Sequence, residues 1–312
     1  MTDTPSRWLD PEIIAFLART DSFYPDSANT ASVAESRALY DRMCAAFRAL
    51  RPAGVAVADG VIVGVPTRRY RPPAPARAML VYAHGGGFIL GGRDSHDDVC
   101  AELCAGAAVD VVSVEYRLAP EHVYPAALDD MFAVVTALAA ASDTLLVGGD
   151  SAGGRLAAAV CRRLRNRGLK QPAGQVLIYP GVSSDPLRVA GSRAATAPGL
   201  SATDCAYYGR MLAGGAVPRG DAEFVPLDAE DFACLAPAAI FAAGYDPLRQ
   251  DAEDYAAVLH AACVPVSYRC DPGLVHGWLR ARHSSRLAAN AFAAVVRATS
   301  ALAAGDVAAL TG

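Results

Sequence analysis

Residues 144–154 read TLLVGGDSAGG, and the reading of this stretch decides the fold. A short apolar run, Leu145 to Val147, ends in glycine, and a serine follows between small residues. Gly149-Asp150-Ser151-Ala152-Gly153 fits G-x-S-x-G, in which a strand turns abruptly into a helix and the serine is held at the apex. The glycines have a physical reason to be there. Strand and helix backbones approach closely at such a turn, and glycine at 149 and 153 removes the Cβ atoms that would collide. From Leu156 to Leu164 apolar residues recur at helical spacing between Arg155 and Arg165, which predicts the helix that must follow. A small-residue turn without chemistry would share the five-residue pattern, so the rest of the chain has to decide.

Outward from the turn, the chain alternates. Strand-like runs at 79–83, 110–116, 144–149, 175–179, 239–243 and 265–268 are separated by helical segments. This order predicts an α/β fold with a largely parallel sheet covered by helices on both faces. Before it, residues 55–70 show short β-type runs broken at Asp59-Gly60 and Gly64, predicting a hairpin and a further strand. Residues 1–50 read as a separate helical segment: Asp10-Pro11-Glu12 supplies an N-cap and a proline at the first helical position, and a second helix is expected from about Ser32 to Leu50. Its aromatics, Trp8, Phe16, Phe23 and Tyr24, suit either a lid or the packing face of a helical arm. The one long interruption is 181–235, where Tyr207, Tyr208, Met211 and Leu212 lie on a short helical pattern and mark a second lid candidate. The expected organisation is a helical cap segment at 1–50 and a catalytic domain at 51–312, with a second cap insertion at 181–235.

The chain of 312 residues, 53% of them hydrophobic, has ample material for one large core with insertions. A formal charge of −4 and no block of like charge argue against a nucleic-acid partner. Mean hydropathy is positive, +0.22, yet the most apolar helical stretch, 287–304, contains Asn290 and Arg297 and is mostly alanine, so it reads as a buried amphipathic helix and not a membrane insertion. The N-terminus lacks the basic start and apolar core of a signal peptide, which makes a cytoplasmic location the expectation. The eight cysteines include no C-x-x-C and no nearby histidines to complete a zinc set, so no metal is expected and most are read as reduced core residues.

Ahead of the turn lies Tyr82-Ala83-His84-Gly85-Gly86-Gly87-Phe88, at the end of a predicted strand. Successive glycines let backbone N–H groups converge on one spot, as an acyl-transfer site requires when negative charge develops on a carbonyl oxygen. A serine hydroxyl needs a neighbouring base. Of the six histidines, His84 belongs to the glycine loop, His96 and His122 precede the serine, His260 sits in a predicted helix and His283 in a polar segment. His276 follows the last strand in a loop with glycines at 273 and 277, and is the strongest candidate. For the acid that orients it, Asp246 comes just after the strand at 239–243; Asp251 reads better as a helix cap and Asp271-Pro272-Gly273 as a turn. A turn or capping role for Asp246 stays open beside the orienting one.

The blocks HGGGF at 84–88, YRLAPEH at 116–122, GDSAGG at 149–154, GYDPLR around Asp246 and HGW at His276 together resemble the hormone-sensitive-lipase-like family of α/β-hydrolase esterases. The likeness runs from Met79 to the end, and the N-terminal arm is similar to the family's helical cap. The resemblance implies an α/β-hydrolase fold, Ser151 as nucleophile, His276 as general base then acid, Asp246 as its carboxylate, and an oxyanion hole from the backbone N–H groups of Gly86, Gly87 and Ala152. It also implies that the YRLAPEH block underlies the oxyanion loop, with Glu121 a buried hydrogen-bonding partner. Phe88, Tyr207, Met211 and Trp278 are the candidate substrate-binding residues. Three departures touch the pocket but not the triad: Gln250 where an aspartate is common, Arg155 where asparagine is frequent, and Trp278 in place of phenylalanine.

The expected function is hydrolysis of short-acyl carboxylic esters through an acyl-serine intermediate, without cofactor, on a small-molecule ester, in a chain whose relatives often form homodimers. An amidase or deacetylase using the same three residues is the alternative. A non-catalytic small-molecule-binding relative is the third reading, and the presence of His276 argues against it.

Overall fold

Eight strands form one sheet in the computed structural model, which describes residues 9–25, 31–183 and 192–308. Trp8 lies outside these residues, as do parts of both expected cap segments. The strands are β1 (Ala56–Ile62), β2 (Val65–Arg71), β3 (Met79–Ala83), β4 (Asp110–Val114), β5 (Leu145–Asp150), β6 (Gly174–Ile178), β7 (Ala238–Tyr245) and β8 (Val266–Val275). Their order is β1-β2-β4-β3-β5-β6-β7-β8, with β1 and β2 antiparallel and β4 onward running parallel.

The central strands β3 to β6 are buried on both faces because their sequence is apolar at consecutive positions and side chains alternate with period 2, while β1 at the edge is largely exposed. Met79, Val81 and Ala83 of β3 join one core cluster, while Leu80 and Tyr82 join the other. Helices α4 (Ala126–Ala139), α5 (Ala152–Asn166) and α7 (Arg249–Ala261) cover the first face. The second is covered by α1 (Pro11–Asp21), α3 (Asp97–Ala107) and α8 (Arg286–Ala303). Helix α8 directs Phe292, Val295 and Leu302 inward and leaves Asn290 and Arg297 exposed, as its pattern required. Burying each such apolar side chain stabilises the fold by about 1.5 to 3 kcal/mol. No described helix is long and apolar enough to cross a membrane.

Local signals account for the helix starts. Asp10 caps α1 by accepting from the Glu12 N–H at 2.9 Å, with Pro11 at the first position. Ser32 and Glu35 form a capping box at the start of α2 (Val33–Phe47). Two expectations need correction. Asp59-Gly60 does not break β1: Asp59 lies opposite Arg68 and binds its guanidinium at 2.6 Å, so the pair holds one seven-residue strand, and the chain reverses at Val63-Gly64, both at positive φ. Asp271-Pro272-Gly273 is not a turn but an irregular part of β8, where Pro272 crowds the position a Cβ on Gly244 would take and the pairing register with β7 shifts.

The parallel strands β3, β5, β7 and β8 end at the same edge of the sheet, and their next residues are His84, Ser151, Asp246 and His276. That edge is where a parallel α/β sheet gathers its chemistry.

Candidate active site

Ser151 sits between the last residue of β5 and the first of α5 with φ 53° and ψ −117°. A left-handed non-glycine residue costs roughly 1 to 2 kcal/mol, which the surrounding structure must offset. Its N–H donates to the Ile178 carbonyl at 2.8 Å. A Cβ on Gly149 or Gly153 would overlap the Ala83 carbonyl, which is the close strand-helix approach that the glycines permit.

Ser151 Oγ lies 2.9 Å from His276 Nε2, and His276 Nδ1 lies 2.7 Å from Asp246 Oδ2. The three side chains, 125 and 30 residues apart along the chain, form one line of hydrogen bonds from a partly exposed serine to a completely buried carboxylate. Asp246 also accepts from the Leu248 N–H at 2.8 Å through Oδ1, so its turn role and its contact with His276 coexist on separate oxygens. The other candidate acids are occupied elsewhere. Asp251 lies inside α7 and accepts from the Ser183 N–H at 2.8 Å, without capping the helix, and Asp271 holds Arg269 in a bidentate pair.

The glycine loop curls beside Ser151. Gly86, Gly87 and Phe88 all have positive φ, and the Gly86 carbonyl accepts from the N–H groups of Ile89 and Leu90. Among the described residues, the N–H groups of Gly86, Gly87 and Ala152 donate to no protein acceptor. Beneath the loop is a buried polar network. Asp150 accepts from the Tyr82 hydroxyl at 2.8 Å and the Gly85 N–H at 2.9 Å, and meets His96 Nε2 at 3.3 Å. Burial opposes ionisation of Asp150, but His96 and these hydrogen bonds outweigh it and hold the carboxyl well below the usual range. His84 is stacked on Tyr116 and His96; burial, then the neighbouring His96, lower its pKa to about 4, so it is neutral. Tyr116 donates to the His84 carbonyl at 2.7 Å, which places the start of the YRLAPEH block under the loop.

Glu121 is not buried: its side chain is 53% exposed and pairs with Arg37 of α2. Arg37 also donates to the carbonyls of Ile89 and Ala119, so the ion pair ties the N-terminal arm to the segment after the glycine loop. The arginine pair holds the Glu121 carboxyl down at about 2.

The candidate pocket residues fall in different places. Phe88 is buried and walls a cavity with Tyr124, Arg155, Leu212 and Phe224. Met211, on α6 (Ala202–Ala213), packs with Tyr208 on a cluster of Ile89, Leu90 and Ala119 that α2 also joins through Val33 and Tyr40. Tyr207 is 43% exposed; its neighbour Tyr208 is the one whose ring fills the space above Gly87. Trp278 is fully buried and meets Tyr179 edge-on, so it braces the site from within the core and offers a ligand no open surface. Sequence reading missed Tyr179, which contacts the His276 ring, and the Asp150–His96 pair. Only the place of Asp150 inside GDSAGG hinted at either. The described residues contain no group of three or more His, Cys, Asp or Glu able to hold a metal ion.

A serine at such a turn, facing a histidine and a carboxylate from later strand ends of a mostly parallel sheet, defines the class of protein. Residues 80–280 match the alpha/beta hydrolase fold family, and the chain belongs to it. It is 40% identical over 233 residues to Esterase LipI of Mycobacterium tuberculosis, covering 71% of this chain and 73% of that protein. It is 37% identical over 292 residues to Carboxylic ester hydrolase LipN of the same organism, covering 87% and 77%. Among solved structures it is similar to a serine-to-alanine variant of LAE6, an alpha/beta hydrolase enzyme from the metagenome of Lake Arreo, with a TM-score of 0.83 and 32% identity over 95% of this chain and 98% of that one.

Proposed function

We infer that this carboxylic-ester hydrolase works through an acyl-serine intermediate on Ser151, and that its substrates are esters of short acyl chains. The observation that carries the reading is the unbroken line Ser151 Oγ, His276, Asp246 at 2.9 and 2.7 Å, set beside a glycine loop with free N–H groups.

In the first half-reaction Ser151 Oγ attacks the ester carbonyl while His276 Nε2 takes its proton. Asp246 holds the Nδ1–H of His276, fixing the tautomer that leaves Nε2 free to accept, and stabilises the imidazolium that forms. The carbonyl oxygen, now negative, receives hydrogen bonds from the N–H groups of Gly86, Gly87 and Ala152. A preorganised donor of this kind contributes about 3 to 4 kcal/mol of transition-state stabilisation. His276 then gives its proton to the leaving alcohol. A water activated by the same nitrogen attacks the acyl-serine and releases the acid.

The described parts of 1–50 and 181–235 act as the cap in this reading. Their helices α2 and α6 meet over the glycine loop, with Tyr208 against Gly87 and Arg37 on the Ile89 carbonyl, which supports a closed and short acyl site.

The test is hydrolysis of p-nitrophenyl esters of increasing acyl length by the wild type and by Ser151→Ala. Activity greatest at short chains and reduced at least about a thousandfold in the variant is expected. Best activity on emulsified long-chain ester would overturn the chain-length assignment, and a fully active Ser151→Ala would overturn the mechanism.

A further inference from the structure

Arg280 lies in the short 3-10 helix Trp278–Ala281 that follows His276, and its guanidinium bridges two other segments. Nη2 donates to the Tyr40 hydroxyl of α2 at 2.6 Å, and Nη1 donates to the Ser95 carbonyl at 3.1 Å. The guanidinium carbon also stands 5.1 Å from the centre of the Tyr40 ring. Both acceptors are neutral, and among the described residues no carboxylate pairs with this cation. Burial opposes its charge, but Cys44, Tyr40, Tyr179 and Asp150 sustain it, so that its pKa stays well above the usual range. Burial raises the Cys44 thiol and both phenols, which leaves Asp150 as the anion of that set at neutral pH.

A line of polar contacts leads from Arg280 to that anion. Ser95, whose carbonyl receives Nη1, sets its Oγ 2.8 Å from His96 Nδ1. His96 Nε2 lies 3.3 Å from Asp150 Oδ2, and Asp150 Oδ1 accepts from the Gly85 N–H at 2.9 Å. Ser95 Oγ also accepts from the Gly92 N–H at 2.9 Å and donates to the Gly92 carbonyl at 2.8 Å, closing the turn beyond the glycine loop. Ser95, His96 and Asp150 are buried. The line thus starts on the cap helix α2 and ends on the peptide that opens the glycine loop, and its one permanent cation belongs to the segment that carries His276. Contacts of this kind strengthen one another where water is excluded.

We propose that Arg280 is a positioning residue for the oxyanion hole: held by Tyr40, it fixes Ser95 and, through His96 and Asp150, the seat of Gly85, so that the N–H groups of Gly86 and Gly87 aim at the developing negative charge. The proposal rests on the oxyanion-hole reading above. It places the effect of Arg280 in the chemical step and not in substrate binding. Deleting an oxyanion donor costs about a hundredfold or more in kcat, and a donor that is re-aimed costs less.

The test is steady-state hydrolysis of p-nitrophenyl acetate and p-nitrophenyl hexanoate by the wild type, Arg280→Met, Arg280→Lys and Tyr40→Phe. Arg280→Met should lower kcat by about 10- to 50-fold, by the same factor on both esters and with KM within twofold. Arg280→Lys, which keeps the charge, should recover most of the loss, and Tyr40→Phe, which frees the guanidinium from the cap but not from Ser95, should lose less than about fivefold. An unchanged kcat in Arg280→Met would overturn the proposal, as would a loss confined to KM or to one ester, which would place Arg280 against the substrate. Equal losses in Tyr40→Phe and Arg280→Met would reduce the contact to an anchor for α2, and Arg280→Lys no better than Arg280→Met would remove the charge from the argument; either result overturns it. If Arg280→Met does not fold, Ser95→Ala breaks the same line nearer the loop and should lower kcat at constant KM; an unchanged kcat there would count against the proposal equally. Absence of Ser151-dependent turnover in the wild type would instead remove the underlying reading and this one with it.

Discussion

Tyr179 lies against His276, with ring centres 4.6 Å apart, while its hydroxyl reaches 3.4 Å to Asp150, the residue before Ser151. The ring therefore supports the imidazole, and the hydroxyl makes only a long contact with the network under the glycine loop. Tyr179→Phe should keep kcat within a few-fold of wild type. Tyr179→Ala should lower kcat by about 10- to 100-fold with little change in KM, because an imidazole displaced by an ångström loses its line to Ser151. Steady-state kinetics on a short-chain p-nitrophenyl ester separates the two, and equal losses would assign the effect to the hydroxyl.

Asp246→Asn should preserve the fold and lower kcat by roughly ten-thousand-fold at neutral pH, since an amide donating to Nδ1 selects the tautomer in which Nε2 cannot accept from Ser151. Burst kinetics would show acylation itself slowed. A loss under tenfold would mean that Asp246 serves chiefly its contact with the Leu248 N–H.

Gly87→Ala should be both less stable and less active. A Cβ there would sit 2.5 Å from the Tyr208 ring, and Gly87 has φ +61°. Adding Tyr208→Ala relieves the clash but not the strained backbone, which alone costs roughly 1 kcal/mol. The double variant is expected to regain part of the lost melting temperature, and strictly additive losses would show that the ring is not the obstacle.

Acid should destabilise the protein through His84. Burial and His96 depress its folded pKa to about 4, whereas the unfolded value is about 6.5. A depressed folded pKa gives stability that is complete above the unfolded value and is lost as pH falls from about 6.5 towards 4, because the unfolded chain takes up the proton first. The melting temperature of the wild type should drop across this window. His84→Gln should start lower but fall less steeply over the same range; parallel curves would exclude His84 as the source.

Glu121→Gln should change kcat by less than about twofold and stability by under about 1 kcal/mol, since the Arg37 pair is solvent-exposed on its acidic side. Arg37→Met should do more, because it also removes the donors to the Ile89 and Ala119 carbonyls and loosens α2 from the glycine loop. Greater sensitivity of kcat/KM to Glu121→Gln than to Arg37→Met would reverse that assignment.

Much of this protein is legible in its sequence. Period-2 and helical patterns placed the six strands β3 to β8 and the helical segments between them, because those patterns are local consequences of backbone geometry, whereas the break read at Asp59-Gly60 and the turn read at 271–273 both fall inside strands. The strand-turn-helix at Ser151 was legible for the same reason: only glycine tolerates the approach of Ala83 at 149 and 153. Asp246 and His276 could be singled out as residues following strands, since a parallel sheet delivers such residues to one edge.

What only the tertiary structure decided are contacts between segments distant in sequence, for which no local pattern exists. Glu121 lies exposed against Arg37, 84 residues away, although its motif suggested burial. Tyr208, not Tyr207, faces Gly87, because the docking of α6 fixes which side of the helix turns inward. Trp278 sinks into the core against Tyr179. Arg155, legible only as a departure from a common asparagine, becomes a buried and unpaired cation because the distant Phe224, Tyr124 and Leu212 close a cavity around it. Burial and pairing depend on how segments far apart in sequence pack, and so belong to the folded chain as a whole.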